Sequence, residues 1–184
     1  MPFVETGFYG LKIFEPIVFS DQRGYFFESF NEATFRQEGI DVQFVQDNES
    51  KSVRGVVRGL HYQLNPMAQA KLVRVLQGKV LDVVVDLRKD SPTFGKQYSI
   101  LLSGENKKQL FIPRGFAHGF AVLSDTCIFQ YKCDNVYSKE FERGINILDT
   151  TLGIDWMLNP EEMIISEKDN SQPIFLESEH NFTL

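Results

Sequence analysis

The sequence has few residues of the kinds that build metal centres and disulfide frameworks. It contains three histidines and two cysteines among 184 residues. His61, His118 and His180 form no His-x-His pair, so nothing indicates the convergent ligand cluster that a metal ion requires. Cys127 and Cys133 are too few for a disulfide framework and are not spaced like zinc ligands. We therefore expect no metal ion, and we expect that any chemistry is carried by protons.

A long basic run and a long apolar run are also missing. The 19 basic and 25 acidic residues leave a formal net charge of −6, which argues against a nucleic acid or membrane surface bound across a broad face. The longest apolar runs, such as "VLDVVVDL", are too short to span a membrane. The N-terminal "MPFVETGFYG" lacks the basic start and apolar core of a signal peptide. We expect a cytoplasmic protein that has neither nucleic-acid nor membrane partners.

Short apolar runs separated by turns dominate the chain. Two β-branched runs meet at a compact turn centred on Gly78 in "AKLVRVLQGKVLDVVVDLR". Further strands are predicted at "QYSILLS", "KQLFIP", "GFAVLS" and "CIFQYKC", with turn signals about every 8–12 residues, as in sandwiches and barrels. "NEATFRQEG" predicts one short helix, capped by Asn31 and ended by Gly39. The segment after Phe141 is predicted to wrap the core. The sequence thus predicts one all-β domain over residues 1–184, built as a two-sheet roll.

Two polar side chains, those of Lys71 and Tyr131, are predicted to lie among apolar neighbours. Side chains alternate between the two faces of a strand, so Lys71 shares its face with two valines, and Tyr131 shares its face with Phe129 and Cys133. Burying a lone ammonium group is costly unless it is paired or serves a ligand. The pattern indicates polar groups lining a cavity between sheets, with a surface lysine and a core tyrosine as the alternatives.

The stretch "VVRGLHYQ" places Arg58, His61 and Gln63 inside a predicted strand. His61 and Gln63 share one face, whereas Arg58 should face the opposite way on a regular strand. Gly59 lies between Arg58 and His61, and it could host a bulge that brings both side chains to one side. Histidine has an unperturbed pKa of about 6.5, which suits proton abstraction near neutral pH. Without further information, a packed core histidine remains the alternative.

Taken together, these residues resemble a known family. The chain resembles the dTDP-4-dehydrorhamnose 3,5-epimerases over nearly its whole length. Eight motifs in the family's order carry the resemblance: "DQRGYFFE", "FVQDN", "VVRGLHYQ", "AKLVRVLQGKVLDVVVDLR", "SPTFGK", "IPRGFAHGF", "YKCDNVY" and "SEKD". The resemblance implies a cupin-like jelly-roll sandwich or barrel with short helices at the periphery. It also implies a homodimer, no cofactor and a place in dTDP-rhamnose biosynthesis, which supplies cell-surface polysaccharide.

The resemblance implies an isomerase that inverts C3 and C5 of dTDP-4-dehydro-6-deoxy-D-glucose, both adjacent to its ketone. Removing either proton creates an enolate, so the site needs a base, an oxyanion stabiliser and an acid on the other face. By resemblance the base is His61, oriented by Asp169 of "SEKD". Lys71 would face the C4 oxygen, and Tyr131 would return the proton, with Tyr137 as the reserve acid.

The resemblance also implies which residues bind the nucleotide-diphospho-4-keto-6-deoxy sugar. Guanidinium groups pair well with phosphate oxygens, which suits the two arginines of this set to the diphosphate. Phe26 would stack beside the base, and Arg23 and Glu28 would reach into the neighbouring subunit's site. The full set is Arg23, Phe26, Glu28, Gln46, Asn48, Arg58, His118, Glu142 and Lys168.

Several alternatives keep the same residues. A 3-only or 5-only epimerase would retain the base, lysine and tyrosine, because the position of the sugar decides which carbon reacts. An epimerase acting on a GDP- or CDP-linked sugar, or on a heptose, would change only the nucleotide contacts. A sugar-nucleotide 3,4-ketoisomerase would depart from "GLHYQ" and "YKC", and a non-catalytic binding module would lose the base or the acid.

Overall fold

The structure is a computed structural model that describes residues 2–184. Strands dominate this part of the chain, with only a few short helical turns between them. The thirteen strands are β1 (Phe3–Glu5), β2 (Lys12–Phe14), β3 (Phe19–Asp21), β4 (Gly24–Phe26), β5 (Gln46–Val53), β6 (Val57–Gln63), β7 (Lys71–Gln77), β8 (Lys79–Asp86), β9 (Gln97–Ser103), β10 (Gln109–Ile112), β11 (Phe116–Val122), β12 (Thr126–Cys133) and β13 (Glu142–Gly144). The helices are α1 (Glu32–Gln37) and α2 (Glu167–Asn170), with single 3-10 turns at Thr150–Leu152, Pro160–Glu162 and Phe175–Glu177.

The strands form two main antiparallel sheets and one small hairpin. The six-stranded sheet has the order β1-β2-β10-β7-β12-β5, and the five-stranded sheet has the order β13-β6-β11-β8-β9. Strands β3 and β4 pair only with each other. Between the main sheets, buried side chains such as Val73, Val84 and Phe129 form one apolar cluster. The predicted all-β, two-sheet roll is confirmed.

The predicted turn at Gly78 is present, but it does not close a hairpin. Strand β7 lies in the six-stranded sheet and β8 in the five-stranded sheet, so the turn carries the chain from one sheet to the other. Gly78 has a φ of +85°, a backbone conformation that residues other than glycine rarely adopt. Because of this crossing, the inner faces of β7 and β8 lie opposite each other across the interior.

The predicted helix and the predicted wrapping segment are both present. Asn31 caps α1 because its side-chain oxygen accepts hydrogen bonds from the backbone N–H groups of Ala33 and Thr34. After Phe141 the chain adds β13 and several short turns. Its buried Ile145 and Trp156 pack on the outer face of the five-stranded sheet. The C-terminal segment therefore completes a second apolar layer.

Strand β6 contains the bulge predicted at Gly59. Against β11, Phe120 pairs with Arg58 and His118 pairs with His61, so three steps on β6 face two steps on β11. Gly59 has a φ of +128°, and a Cβ atom there would lie 2.5 Å from the Cα atom of Gly119. The extra residue turns Arg58 and His61 toward the same cavity.

Replacing Gly59 by alanine should destabilise the protein by roughly 2–4 kcal/mol, because the side chain meets both an unfavourable φ and the backbone of β11. Urea unfolding measures this loss. Gly24 is the matched control, since it has the same φ of +128° but nothing within 4 Å of the added Cβ atom. Gly24→Ala should cost about 1–2 kcal/mol, from strain alone. Equal losses in both variants would show that the close approach of the strands does not matter.

Candidate active site

The candidate site is a cavity of about 420 Å³ between the two main sheets. A smaller pocket of about 140 Å³ continues from it, and the two share Asn48, His61, Lys71 and Tyr131. Ten of the thirteen predicted site residues line the larger cavity or its extension. They come from strands β5, β6, β7, β11, β12 and β13 and from α2. Those on the larger cavity are Asn48, Arg58, His61, Lys71, His118, Tyr131, Lys168 and Asp169. Those on the extension alone are Gln46 and Glu142.

The imidazole of His61 is held by a buried carboxylate. Its Nε2 atom lies 2.6 Å from Oδ1 of Asp169, which α2 carries over the end of β6. Burial alone would raise the pKa of Asp169. Hydrogen bonds from His61, Ser166 and the backbone N–H of Gly59 outweigh that effect and hold the pKa below its usual value. An ionised Asp169 accepts a hydrogen bond from the Nε2–H group of His61. The Nδ1 atom of the ring then carries the free lone pair and is available as a base.

Lys71 lies on the opposite sheet, on the inner face of β7, as the alternation of the strand predicts. Its face-mates Val73 and Val75 are buried. Burial lowers the pKa of Lys71, and the nearby Cys133 and Asp82 counteract this only in part. The result is an ammonium group in a site of low polarity, where its charge acts most strongly on a developing oxyanion.

Tyr131 lies beside Lys71, on the neighbouring strand β12. The Lys71 Nζ atom is 6.0 Å from the centroid of the Tyr131 ring. Burial, followed by the neighbouring Cys133, raises the pKa of Tyr131. The phenol therefore stays protonated to a higher pH than free tyrosine does. Because β6 and β12 belong to different sheets, His61 and Tyr131 approach the cavity from opposite sides.

His118 forms a second histidine–carboxylate pair in the same wall. It is the direct cross-strand partner of His61, and its Nε2 atom lies 2.9 Å from Oδ2 of Asp82. Asp82 is fully buried on β8, and its other oxygen has no hydrogen-bond partner within residues 2–184. Sequence reasoning missed Asp82. The signal that could have found it is a lone carboxylate inside the apolar run "VLDVVVDL".

Two charged residues at the mouth are joined to each other. Nζ of Lys168 lies 2.7 Å from Oε1 of Glu142, and the hydroxyl of Tyr137 donates to Oε2 of Glu142 at 2.9 Å. Burial alone would raise the pKa of Glu142, but these two partners hold it below its usual value. Both carboxylate oxygens of Glu142 are thus already occupied by protein groups.

The remaining polar residues of the predicted site at this cavity lie at the bulge of β6 and on strand β5. Arg58 is exposed at the cavity and donates from Nε to Ser52 Oγ at 3.3 Å. Gln46 and Asn48 share the inward side of β5, and Gln46 donates to Asn48 Oδ1 at 3.1 Å. Strand β5 is an edge strand of polar composition, which is why apolar alternation did not reveal it.

Three predicted site residues lie away from the cavity of their own chain. Arg23 and Phe26 belong to the β3–β4 hairpin and line a separate pocket of about 380 Å³. Phe26 is 70% exposed, and the Arg23 guanidinium pairs with Asp21 at 2.5 Å. Glu28 follows the hairpin and is also exposed. A single chain therefore does not bring these three residues together with His61.

Two further observations concern residues 2–184. No group of three or more His, Cys, Asp or Glu side chains in this range is arranged so that it could hold a metal ion. No helix in the same range is long and apolar enough to cross a membrane.

The fold and the cavity define a class of protein. A β roll with a His–Asp pair on one sheet, and a half-buried lysine and tyrosine on the facing sheet, has the groups that proton transfer to and from a carbon next to a carbonyl group requires.

The chain belongs to the dTDP-4-dehydrorhamnose 3,5-epimerase family, an isomerase family whose sequence model matches residues 5–177. A dTDP-4-dehydrorhamnose 3,5-epimerase of Methanothermobacter thermautotrophicus is 54% identical over 170 residues, which cover 92% of this chain and 91% of that protein. The crystal structure of the Elizabethkingia anophelis enzyme is 53% identical with a TM-score of 0.92, covering 95% of this chain and 96% of that one. A Legionella pneumophila 3,5-epimerase in complex with dTDP-4-keto-L-rhamnose is 48% identical with a TM-score of 0.91, covering 95% and 93%. The predicted cupin-like fold and the predicted family are both confirmed.

Proposed function

We propose that this protein inverts C3 and C5 of dTDP-4-dehydro-6-deoxy-D-glucose to give dTDP-4-dehydro-L-rhamnose, through enolate intermediates. The observation that carries the proposal is that His61 with Asp169, and Lys71 with Tyr131, face one another from the two sheets across a single cavity. Both carbons lie next to the C4 ketone, so one set of groups can serve both inversions. No cofactor is needed for this proton transfer.

Each inversion follows from the positions of four side chains. His61 removes the proton through Nδ1, and Asp169 stabilises the imidazolium that forms. Negative charge then develops on the C4 oxygen, where the ammonium group of Lys71 stabilises it. Tyr131 delivers a proton from the opposite sheet to the other face of the planar carbon. His118 lines the same wall next to the sugar, and its partner Asp82 is buried behind it.

The nucleotide diphosphate is bound at the open end of the cavity. Arg58, turned inward by the bulge, pairs with phosphate oxygens, and Gln46 and Asn48 on β5 contact the nucleoside. Glu142 and Lys168 border the same mouth. A bound dTDP sugar in the Legionella relative supports this class of ligand.

The exposed β3–β4 hairpin supports a homodimer. Phe19, Tyr25 and Phe26 are each more than half exposed on a hairpin that pairs with no other strand of residues 2–184. An isolated aromatic hairpin of this kind is stabilised by docking on a second copy. Arg23 and Glu28 would then complete the partner's site.

We further propose that residues 1–184 form one domain, and that the protein works in the cytoplasm.

A proton NMR time course in D₂O with dTDP-4-keto-6-deoxyglucose tests the reaction. We expect the C3 and C5 proton signals to disappear together, and a reductase to trap an L-lyxo product. Loss of one signal alone would instead establish a 3-only or 5-only epimerase. Loss of neither signal would overturn the proposed substrate, and GDP- and CDP-linked keto sugars would be tried next.

The pH dependence of the rate should identify Lys71 as the group that limits activity in alkali. Burial lowers the pKa of Lys71 and raises that of Tyr131. The stabilising charge is therefore present below the lowered lysine pKa and is lost as the pH rises through it, while Tyr131 is still protonated. We expect kcat/KM to fall at a pH below the ordinary pKa of lysine, because burial lowers the pKa of Lys71. Lys71→Arg, which keeps its charge, should move this fall to higher pH, whereas an unmoved profile would assign the alkaline limb to another group.

A further inference from the structure

Gln63 is a buried glutamine in the catalytic wall that the reaction does not use. It follows His61 by two residues on the same face of β6 and is only 4% exposed. Its Nε2 atom donates to the carbonyl oxygens of Met67 at 2.6 Å and Val136 at 3.1 Å. Its Oε1 atom accepts from the backbone N–H of Ser138 at 2.6 Å. Both donors and the acceptor of this amide are engaged, and all three bonds go to backbone.

These bonds connect the ends of the strands that carry the catalytic side chains. Gln63 itself ends β6, Met67 lies in the turn 64–70 that leads into β7, and Val136 and Ser138 lie in the loop 134–141 that follows β12. The strands are held in place by their own ladders. The loop 134–141 is not part of a sheet, so its path depends on bonds of this kind.

The loop 134–141 supplies one side of the cavity mouth. Its Tyr137 is 54% exposed, lines the smaller pocket beside His61 and Lys71, and holds its hydroxyl against Glu142. The backbone N–H of Tyr137 donates to Gln46 Oε1 at 3.0 Å. Gln63 therefore forms hydrogen bonds with the backbone of Val136 and Ser138, on either side of Tyr137. Gln46 of β5 accepts a hydrogen bond from the backbone of Tyr137 itself.

We propose that Gln63 is a positioning residue of the epimerase site. Its amide holds the loop 134–141 so that Tyr137 stands against the bound substrate. The inference rests on the proposed function, because it concerns the same cavity. Removing the amide should displace the loop and weaken substrate binding, while His61, Lys71 and Tyr131 stay where their strands place them.

The test is a double-mutant cycle between Gln63→Met and Tyr137→Ala. We expect Q63M to raise KM for dTDP-4-keto-6-deoxyglucose about tenfold and to change kcat less than about threefold. If the amide acts through Tyr137, adding Q63M to Y137A should raise KM no further. Equal increases in both backgrounds, or an unchanged KM in Q63M, would overturn the proposal.

Tyr62→Phe is the matched control for a simple loss of stability. Tyr62 is the buried neighbour of Gln63 on β6, but it faces the opposite way and its hydroxyl donates to the backbone carbonyl of Glu179. Y62F removes a buried hydrogen bond from the same strand without touching the loop 134–141. It should lower the unfolding temperature and leave KM unchanged, whereas a rise in KM equal to that of Q63M would contradict a positioning role.

Gln63→Glu keeps the shape of the side chain and serves if Q63M does not fold. As a carboxylate it places a negative oxygen against the carbonyls of Met67 and Val136, and once protonated it can donate to one of them. The KM of Q63E relative to wild type should therefore fall as the pH is lowered. A ratio that stays constant with pH would argue against the hydrogen bonds as the cause.

Calorimetric titration with dTDP separates this inference from the proposed reaction. If the wild-type protein fails to turn over the keto sugar, the proposed function fails. The Kd for dTDP still reports the mouth of the cavity, and we expect Q63M to weaken it about tenfold but not in the Y137A background. Equal dTDP affinity in wild type and Q63M would overturn the inference whatever the enzymatic result.

Discussion

Replacing His61 by alanine is expected to lower kcat by about 10³-fold or more, because the variant has no base next to the reacting carbon. Binding of dTDP, measured by calorimetry, should change less than about threefold, since the proposed mechanism places the imidazole beside the sugar rather than the diphosphate. This combination of lost turnover and retained affinity separates an epimerase from a binding module, which has no turnover to lose.

His180→Ala is the control for the loss of a histidine. Its ring lies in the C-terminal segment and packs against Phe175 and against Phe94 of the loop between β8 and β9, and full activity is expected. Asp169→Asn should lower kcat about 10²-fold or more. The neutral amide does not stabilise the imidazolium, and its NH2 group can donate to Nε2 of His61, which would put the ring proton on Nδ1 and remove the base. Retention of more than a tenth of the activity in His61→Ala would place the base elsewhere, and an unchanged rate in Asp169→Asn would contradict the His–Asp pair.

Replacing Tyr131 by phenylalanine should separate proton removal from inversion. His61 still deprotonates the sugar, but no acid on the opposite sheet delivers a proton to the other face, so the abstracted hydrogen returns where it came from. The His61 side chain is 32% exposed, which lets its proton exchange with solvent between the two steps. We expect C3 and C5 deuteration in D₂O within about tenfold of the wild-type rate, and product formation reduced about 10³-fold.

Tyr137→Phe is the matched comparison, because Tyr137 also lines the cavity extension and its hydroxyl is bound to Glu142. It should keep inversion coupled to exchange. If Tyr137→Phe shows exchange without inversion and Tyr131→Phe does not, the acid is Tyr137. Parallel loss of exchange and inversion in Tyr131→Phe would mean that Tyr131 does more than return the proton.

Local patterns predicted those parts of the fold that are decided by neighbouring residues. The strands β7 to β12 were predictable because apolar and β-branched residues alternate or run together there. The bulge at Gly59 followed from the conflict between Arg58 and His61 on one strand. Strand β5 was missed because its inward side chains, such as Gln46 and Asn48, are polar and line the cavity, so the strand shows no apolar alternation.

The site could be predicted only in part from the residues themselves. Alternation indicated a cavity position for Lys71 and Tyr131 but left a surface lysine and a core tyrosine open, whereas Asp169 was identified only through the family resemblance. Its partner His61 is 108 positions away in sequence, and no local rule connects them. Gln63 was visible on the same face as His61, but its bonds to the loop 134–141 were not, because hydrogen bonds to backbone in a distant loop leave no pattern in composition.

The sequence by itself determined a two-sheet β protein and which side chains of each strand share a face, because successive side chains of a strand alternate. It left open whether His61, Lys71 and Tyr131 line a cavity. Only the tertiary structure decided that the turn at Gly78 crosses between sheets. That crossing sets Lys71 and Tyr131 opposite His61 instead of beside it. The physical reason is that a turn reverses the chain locally, while packing of the two apolar faces determines which strands pair and which face each other.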